Sequence, residues 1–168
     1  MENVTHNKLD NIKSKIVSTT QLTRLVAGWK VKSYKIVFTN GVFDLLHQGH
    51  IASIALAAQE GNKLVVGINS DASVKRLKGA DRPVNDAMSR ALVLASMQYV
   101  DAVCIFDEDT PLELIKAVEP DVIAKGGDYT PETVVGHDLV SGYGGKTVII
   151  PLVEGFSTTG TINKLNNK

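Results

Sequence analysis

Apolar runs of four to seven residues alternate with longer amphipathic stretches along most of this chain. The runs at residues 35–39, 63–69, 100–106, 121–124 and 146–151 read as strands. They are nearly continuous in Val, Ile and Leu, as strands buried on both faces are. Between them lie helical patterns. The first runs from Gln48 to Glu60 and ends at Gly61. Ser70 or Asp71 caps a short helix to Leu77, and Asn85 or Asp86 caps a longer one to Tyr99. Thr110-Pro111 and Thr130-Pro131 each place a cap before a proline at the first helical position, opening helices to Val118 and Ser141. Ser157 or Thr158 caps a last helix. Ahead of the first strand, Thr19 or Thr20 caps a helix through Leu22, Leu25 and Val26 to Trp29, expected on the edge of the main body; residues 1–18 read as a mobile polar lead-in. The expected fold is α/β, a Rossmann-like, doubly wound, five-stranded parallel sheet in three layers. Residues 1–33 form the lead-in and first helix, and residues 34–168 the main domain.

The length, 168 residues, suits one such sheet covered on both faces. Eighteen basic residues balance eighteen acidic ones, so no global field favours nucleic acid or a membrane surface. The single cysteine, Cys104, lies in the apolar run Ala102-Val103-Cys104-Ile105-Phe106 and reads as a core thiol. With no disulfide possible inside the chain, no apolar signal-peptide core and no membrane-length apolar stretch, a cytoplasmic location is expected.

In a parallel sheet the ligand crevice lies beyond the carboxyl ends of the strands. The polar residues that stand out fall there. Thr39, Asn40, Gly41, Asp44, His47 and His50 follow the first strand; Asn69, Ser70 and Asp71 follow the second. Lys125, Gly126, Gly127, Asp128 and Tyr129 follow the fourth, and Glu154, Gly155, Ser157, Thr158 and Thr159 the fifth. The third ends in Phe106-Asp107-Glu108-Asp109, an acidic run set aside as off-site. A strand, a glycine turn and a helix start aim backbone N–H groups at a phosphate. His47 and His50 share a face of that helix's first turn, with Gly49 between them to admit a close ligand. This stretch reads as a nucleoside-triphosphate site with both imidazoles on the phosphates. A zinc site would need a third ligand, and no Cys or further His lies nearby in sequence. Gly142-Tyr143-Gly144-Gly145-Lys146-Thr147 is not a P-loop, because Val140 stands at its first glycine and Lys-Thr opens a strand. Dinucleotide and serine-hydrolase fingerprints are absent too.

Gly41-Val42-Phe43-Asp44-Leu45-Leu46-His47-Gln48-Gly49-His50 resembles the signature of the cytidylyltransferase-like nucleotidyltransferases, with the core H-x-G-H. Gly155-Phe156-Ser157-Thr158-Thr159 resembles their second signature. Thr39-Asn40-Gly41, Asn69-Ser70-Asp71, Arg76-Leu77-Lys78-Gly79, Arg82-Pro83-Val84-Asn85 and Lys125-Gly126-Gly127-Asp128-Tyr129 are similar to the branch that adenylylates D-glycero-β-D-manno-heptose 1-phosphate for the lipopolysaccharide core. Leu152-Val153 replace the Arg-Thr of glycerol-phosphate and choline-phosphate relatives, which argues against those acceptors.

The resemblance implies transfer of AMP from ATP to the sugar 1-phosphate with release of pyrophosphate. It implies His47, His50 and Arg90 as catalytic. It puts Thr39, Asn40, Gly41, Phe43, Gly49, Lys125, Gly126, Ser157, Thr158 and Thr159 on the nucleotide. Asp44, Asn69, Asp71, Lys78, Arg82 and Asp128 fall to the acceptor. Mg²⁺ is expected to come with ATP, held by phosphate oxygens and water rather than by a protein cage. A homodimer and a separate sugar-kinase are the expected partners. Other phosphorylated acceptors, or a nucleotide-sensing module without turnover, are the competing readings.

Overall fold

The structure is a computed structural model and describes residues 7–151. Five parallel strands form one sheet in the order β3-β2-β1-β4-β5. They are β1 (Ile36–Gly41), β2 (Lys63–Asn69), β3 (Ala102–Phe106), β4 (Val122–Gly126) and β5 (Lys146–Ile150). The chain winds outward from β1 through β2 to β3, then returns to β4 on the other side of β1. The order therefore reverses between β1 and β4, the place where sheets of this kind open a crevice. No helix among the described residues is long and apolar enough to cross a membrane.

Side chains alternate across the sheet. Ile36, Phe38, Val65 and Cys104 face one layer, formed by α2 (Thr19–Val31), α6 (Leu112–Val118) and α7 (His137–Gly142). Val37, Leu64, Val66 and Val103 face the other, formed by α3 (Gln48–Ala58) and α5 (Ala87–Ala95). The expected three-layer architecture is the observed one, and the strands differ from their expected bounds by two residues or fewer. The two-residue extensions of β1 and β4 matter, because they carry Asn40, Gly41, Lys125 and Gly126 within the sheet.

Several local expectations are corrected. Residues 7–18 are not a loose lead-in. Asn7 caps α1 (Lys8–Lys13), and the segment after it pairs with the edge of β3: Val103 N–H donates to Lys15 O (2.8 Å) and Val17 N–H to Val103 O (2.9 Å). The cap of α2 is Ser18, not Thr19 or Thr20. Its hydroxyl accepts from Gln21 N–H, and the Gln21 amide oxygen accepts from Ser18 N–H, a reciprocal capping box. Nor does α2 sit at the edge, since Leu22 and Val26 are buried in the same cluster as Ile36 and Phe38. Helix α5 stops at Ala95, four residues early, with the Ser96 hydroxyl donating to Val93 O. Pro111 takes the cap position of α6 itself. The stretch expected as one helix from Pro131 is split into a 3₁₀ turn (Pro131–Thr133) and α7. Gly136 divides them with φ +90, and a Cβ there would lie 2.8 Å from Ile115 Cδ1. The backbone crosses the core too closely at that point for a continuous helix of ordinary residues.

Candidate functional site

The end of β1 and the start of α3 set the first part of the site. The chain leaves Gly41 and turns through Phe43, a non-glycine residue at φ +50. This brings the Phe43 ring back over Gly41, where a Cβ would lie 3.0 Å from Phe43 Cε2. The same ring meets His50 edge-on, with centroids 5.5 Å apart. His47 is the cap residue of α3 and His50 lies three positions on; their imidazoles stack at 3.9 Å with 28° between planes.

That stack decides the protonation of His50. Burial, and then the neighbouring His47 ring, pull its pKa from 6.5 down to about 4. The ring is neutral near pH 7. Its Nδ1 accepts the backbone N–H of His47 at 3.4 Å, which assigns the ring proton to Nε2. His50 is thus a neutral hydrogen-bond donor.

Across the switch point, Lys125 extends from β4 toward β1. Its Nζ lies 3.2 Å from Asn40 Oδ1 and 3.3 Å from Asn40 O, and 5.6 Å from the centre of the Tyr129 ring. It forms no ion pair with a carboxylate among the described residues, and burial lowers its pKa.

Two adjoining clefts open here. The first, about 250 Å³, is lined by Thr39, Asn40, Gly41, Phe43, His50, Lys125 and Gly126. The second, about 280 Å³, shares Asn40, Gly41, Val42, Lys125 and Tyr129 with the first and adds Asn69, Lys78 and Asp109. A roomier hollow of about 410 Å³ lies at the opposite end of the strands. There Lys30 pairs with Glu119 (3.2 Å), and Asp121 accepts the Ile36 N–H (2.7 Å).

Most residues expected on the nucleotide line the first cleft. Gly49 is buried in the first turn of α3, and His47 stacks on His50, which lines the cleft. Ser157, Thr158 and Thr159 lie outside the described residues.

The expected acceptor set divides. Asn69 and Lys78 line the second cleft, whereas Asp128 lines neither. Asp44 was expected to face the acceptor and Arg82 to grip its phosphate, but the structure pairs them at 2.7 Å. The buried Asp44 carboxylate also accepts the N–H groups of Val84 and Asn85, each at 2.9 Å. Burial alone would raise its pKa. The Asn85 and Val84 amides and the Arg82 guanidinium outweigh burial and hold it below the usual carboxylate range.

Arg90, expected on a phosphate, is 1% exposed. Its Nε donates to Asn85 O (3.0 Å), Nη1 to Val42 O (2.7 Å), and Nη2 to Asn69 O (2.8 Å) and Asp71 Oδ1 (2.7 Å). Four contacts from five N–H donors tie together the loops after β1 and β2 and the entry to α5. Arg90 and Asp44 are anchors of the site's walls, and Asp71 is a partner of Arg90.

Among the lining residues without a role in the sequence reading are Tyr129, on the rim, and Asp109, in the acidic run after β3. The chain beyond β3 bends back over β2: Ser70 N–H donates to Phe106 O, Ser73 Oγ to Glu108 O, and Arg76 Nε to Asp109 Oδ1 (2.8 Å). That bend carries Asp109 to the second cleft.

A family model described as cytidylyltransferase-like matches residues 38–159. The bifunctional protein HldE of Caulobacter vibrioides is 54% identical over 153 residues, 91% of this chain and 32% of that protein. The protein of the same name from Paramagnetospirillum magneticum is 56% identical over 153 residues, 91% and 31% respectively. The chain thus spans about a third of the length of these curated relatives. Among solved structures, a lipopolysaccharide core biosynthesis protein from Thermoplasma volcanium GSS1 is similar with TM-score 0.57 and 28% identity, over 71% of this chain and 97% of that one. The pantoate-beta-alanine ligase of Francisella tularensis, solved with beta-gamma ATP and beta-alanine, gives TM-score 0.59 at 15% identity over 91% and 78%, a likeness of fold.

Proposed function

Because this chain belongs to the cytidylyltransferase-like family, we propose that it transfers AMP from ATP to D-glycero-β-D-manno-heptose 1-phosphate, giving ADP-heptose and pyrophosphate for the lipopolysaccharide core. The observation that carries this reading is a pair of clefts meeting at one half-buried lysine on the switch point, with a neutral histidine donor in the first. A triphosphate occupies the first cleft and a phosphorylated, polyhydroxylated acceptor the second. The similarity to a lipopolysaccharide core biosynthesis protein supports the choice of pathway.

An oxygen of the acceptor phosphate attacks the α-phosphorus. The new P–O bond forms as the bond to the β-phosphate breaks, and pyrophosphate leaves with the electron pair. The acceptor phosphate is already anionic near neutral pH, so no general base is needed. The protein's task is to align two anions and to stabilise the charge that develops between them. His50 Nε2–H donates to those oxygens without carrying a charge of its own. His47 orients it through the backbone N–H and the stack, aided by the positive end of α3. Losing one such donor lowers the rate by about 10²–10³.

No three His, Cys, Asp or Glu side chains converge among the described residues. Mg²⁺ entering with the triphosphate would be held by phosphate oxygens and water, and would help neutralise the charge of the leaving pyrophosphate. Dependence on ATP suits a cytoplasmic location, and the active species is a homodimer. A kinase reaction must first install the acceptor's phosphate.

The test is pyrophosphate release from ATP, CTP and GTP, each with heptose 1-phosphate, glycerol 3-phosphate, flavin mononucleotide and phosphopantetheine. The proposal requires ATP with heptose 1-phosphate to turn over fastest, and His50→Ala to lose about 10²–10³ of that rate. Faster turnover with another acceptor would reassign the substrate. ATP binding without pyrophosphate release from any acceptor would make the chain a sensing module.

A further inference from the structure

Lys125 is the one cation among the described residues that lines both clefts. Lys78 reaches only the second, and Arg82 and Arg90 are committed to Asp44 and to the loop carbonyls. An ammonium group has three N–H donors. Among the described residues, both polar contacts of Lys125 go to Asn40, a neutral residue, and its ammonium also faces the Tyr129 ring. Lys125 is half-buried, and a charge drawn partly out of water without a countercharge is destabilising, because neutral oxygens replace only part of the lost hydration. Among the described residues no carboxylate supplies that countercharge, and the position of Lys125 in the shared wall lets ligand anions approach it from two sides.

We propose that Lys125 is a catalytic residue that contacts the α-phosphate of the nucleotide in the first cleft and the phosphate of the acceptor in the second at the same time. This rests on the transferase reading above and assigns the residue that joins its two half-sites. One cation shared between attacking and attacked phosphates cancels the repulsion that otherwise keeps them apart. It also stays in place as charge moves onto the transferring group. Asn40 sets its position through two contacts from one side chain and its own backbone, and the Tyr129 ring keeps water from one side.

The experiment uses Lys125→Met, a replacement of similar length without charge, in the full chain. Calorimetry measures the affinity of a non-hydrolysable ATP analogue, of heptose 1-phosphate and of inorganic phosphate, each alone. Inorganic phosphate serves as a probe that does not depend on the acceptor's identity. Thermal unfolding is recorded without ligand. Each anion is expected to bind about tenfold or more weakly, the loss of one charge-assisted hydrogen bond. Turnover is expected to fall by about 10²-fold or more, while the ligand-free unfolding midpoint stays equal to or above that of the wild type. A lowered midpoint would make Lys125 a structural residue and overturn the proposal. Weakening of the nucleotide alone, or of the phosphates alone, would overturn the shared contact. The affinities need no turnover, so the two readings fail separately. Wild-type protein that binds both ligands yet releases no pyrophosphate refutes the transferase and leaves Lys125 standing. Normal turnover by Lys125→Met does the reverse.

Discussion

Arg90→Met separates two roles for a residue that the sequence placed on the phosphates. In the structure its guanidinium supports three backbone carbonyls, Val42 O, Asn69 O and Asn85 O, and one carboxylate, Asp71. Methionine fills much of the same volume and donates nothing. Loss of the donor to the buried Asn69 carbonyl is destabilising by about 1–3 kcal/mol, and the part-buried Val42 and Asn85 carbonyls add less because water reaches them. The Asp71 side chain is 40% exposed, so water takes over much of that contact and the ion pair adds little. The sum is about 2–5 kcal/mol, at the upper end of single-substitution effects. Urea unfolding followed by circular dichroism reads it as a lower midpoint at unchanged slope. Catalysis suffers indirectly, because Asn69 lines the second cleft: the KM for the acceptor rises more than the KM for ATP. A variant within about 1 kcal/mol of the wild type that has nonetheless lost turnover would refute the argument, since Arg90 would then touch a phosphate directly.

Two further outcomes follow from the same geometry. The pKa of His50 is about 4 in the folded protein against 6.5 unfolded, so the unfolded chain binds the extra proton between those values. The stabilising contribution is fully present above about pH 6.5 and is lost as pH falls toward 4. A shift of that size corresponds to about 3 kcal/mol, which half-exposure to solvent reduces to about 1–2 kcal/mol. Unfolding free energies of wild type and His50→Gln measured from pH 7 to 4 should converge by that amount; parallel curves would contradict the assignment. Gly61→Ala would set a Cβ 2.6 Å from Lys35 O and 2.7 Å from Val37 Cγ2, against backbone at the start of β1. A loss of about 1–3 kcal/mol is expected, and an unchanged thermal midpoint would show that the turn yields freely.

The strands and the site's location were legible because both follow from local rules. Continuous apolar runs mark a buried parallel sheet, and polar residues just past them mark its carboxyl edge. What escaped was the direction taken by long side chains and by loops. Arg90 reads as a phosphate ligand by type, yet it shares the buried face of α5 with Ala91, Leu94 and Ala95. That i, i+1, i+4, i+5 pattern was visible in the sequence and points inward. Asp44 and Arg82, both expected at the acceptor, find each other across 38 residues, a pairing that no local spacing encodes. The bend that carries Asp109 to the second cleft depends on Ser73 and Arg76, on the far side of α5 and β3 in the chain's path. Residues 7–18 look polar and unstructured, but the Asn7 cap and the inward Ile12 and Ile16, four apart, were the overlooked signals of a packed segment.

Histidine ring ¹H–¹⁵N spectra recorded during titration with a non-hydrolysable ATP analogue test the central claim most directly. The chain has four histidines, His6, His47, His50 and His137. The account predicts that the His50 resonances shift most, with Nε2 remaining the protonated nitrogen, that those of His47 follow, and that His137 does not move. Saturation with nucleotide while the His47 and His50 signals stay where they were would contradict it.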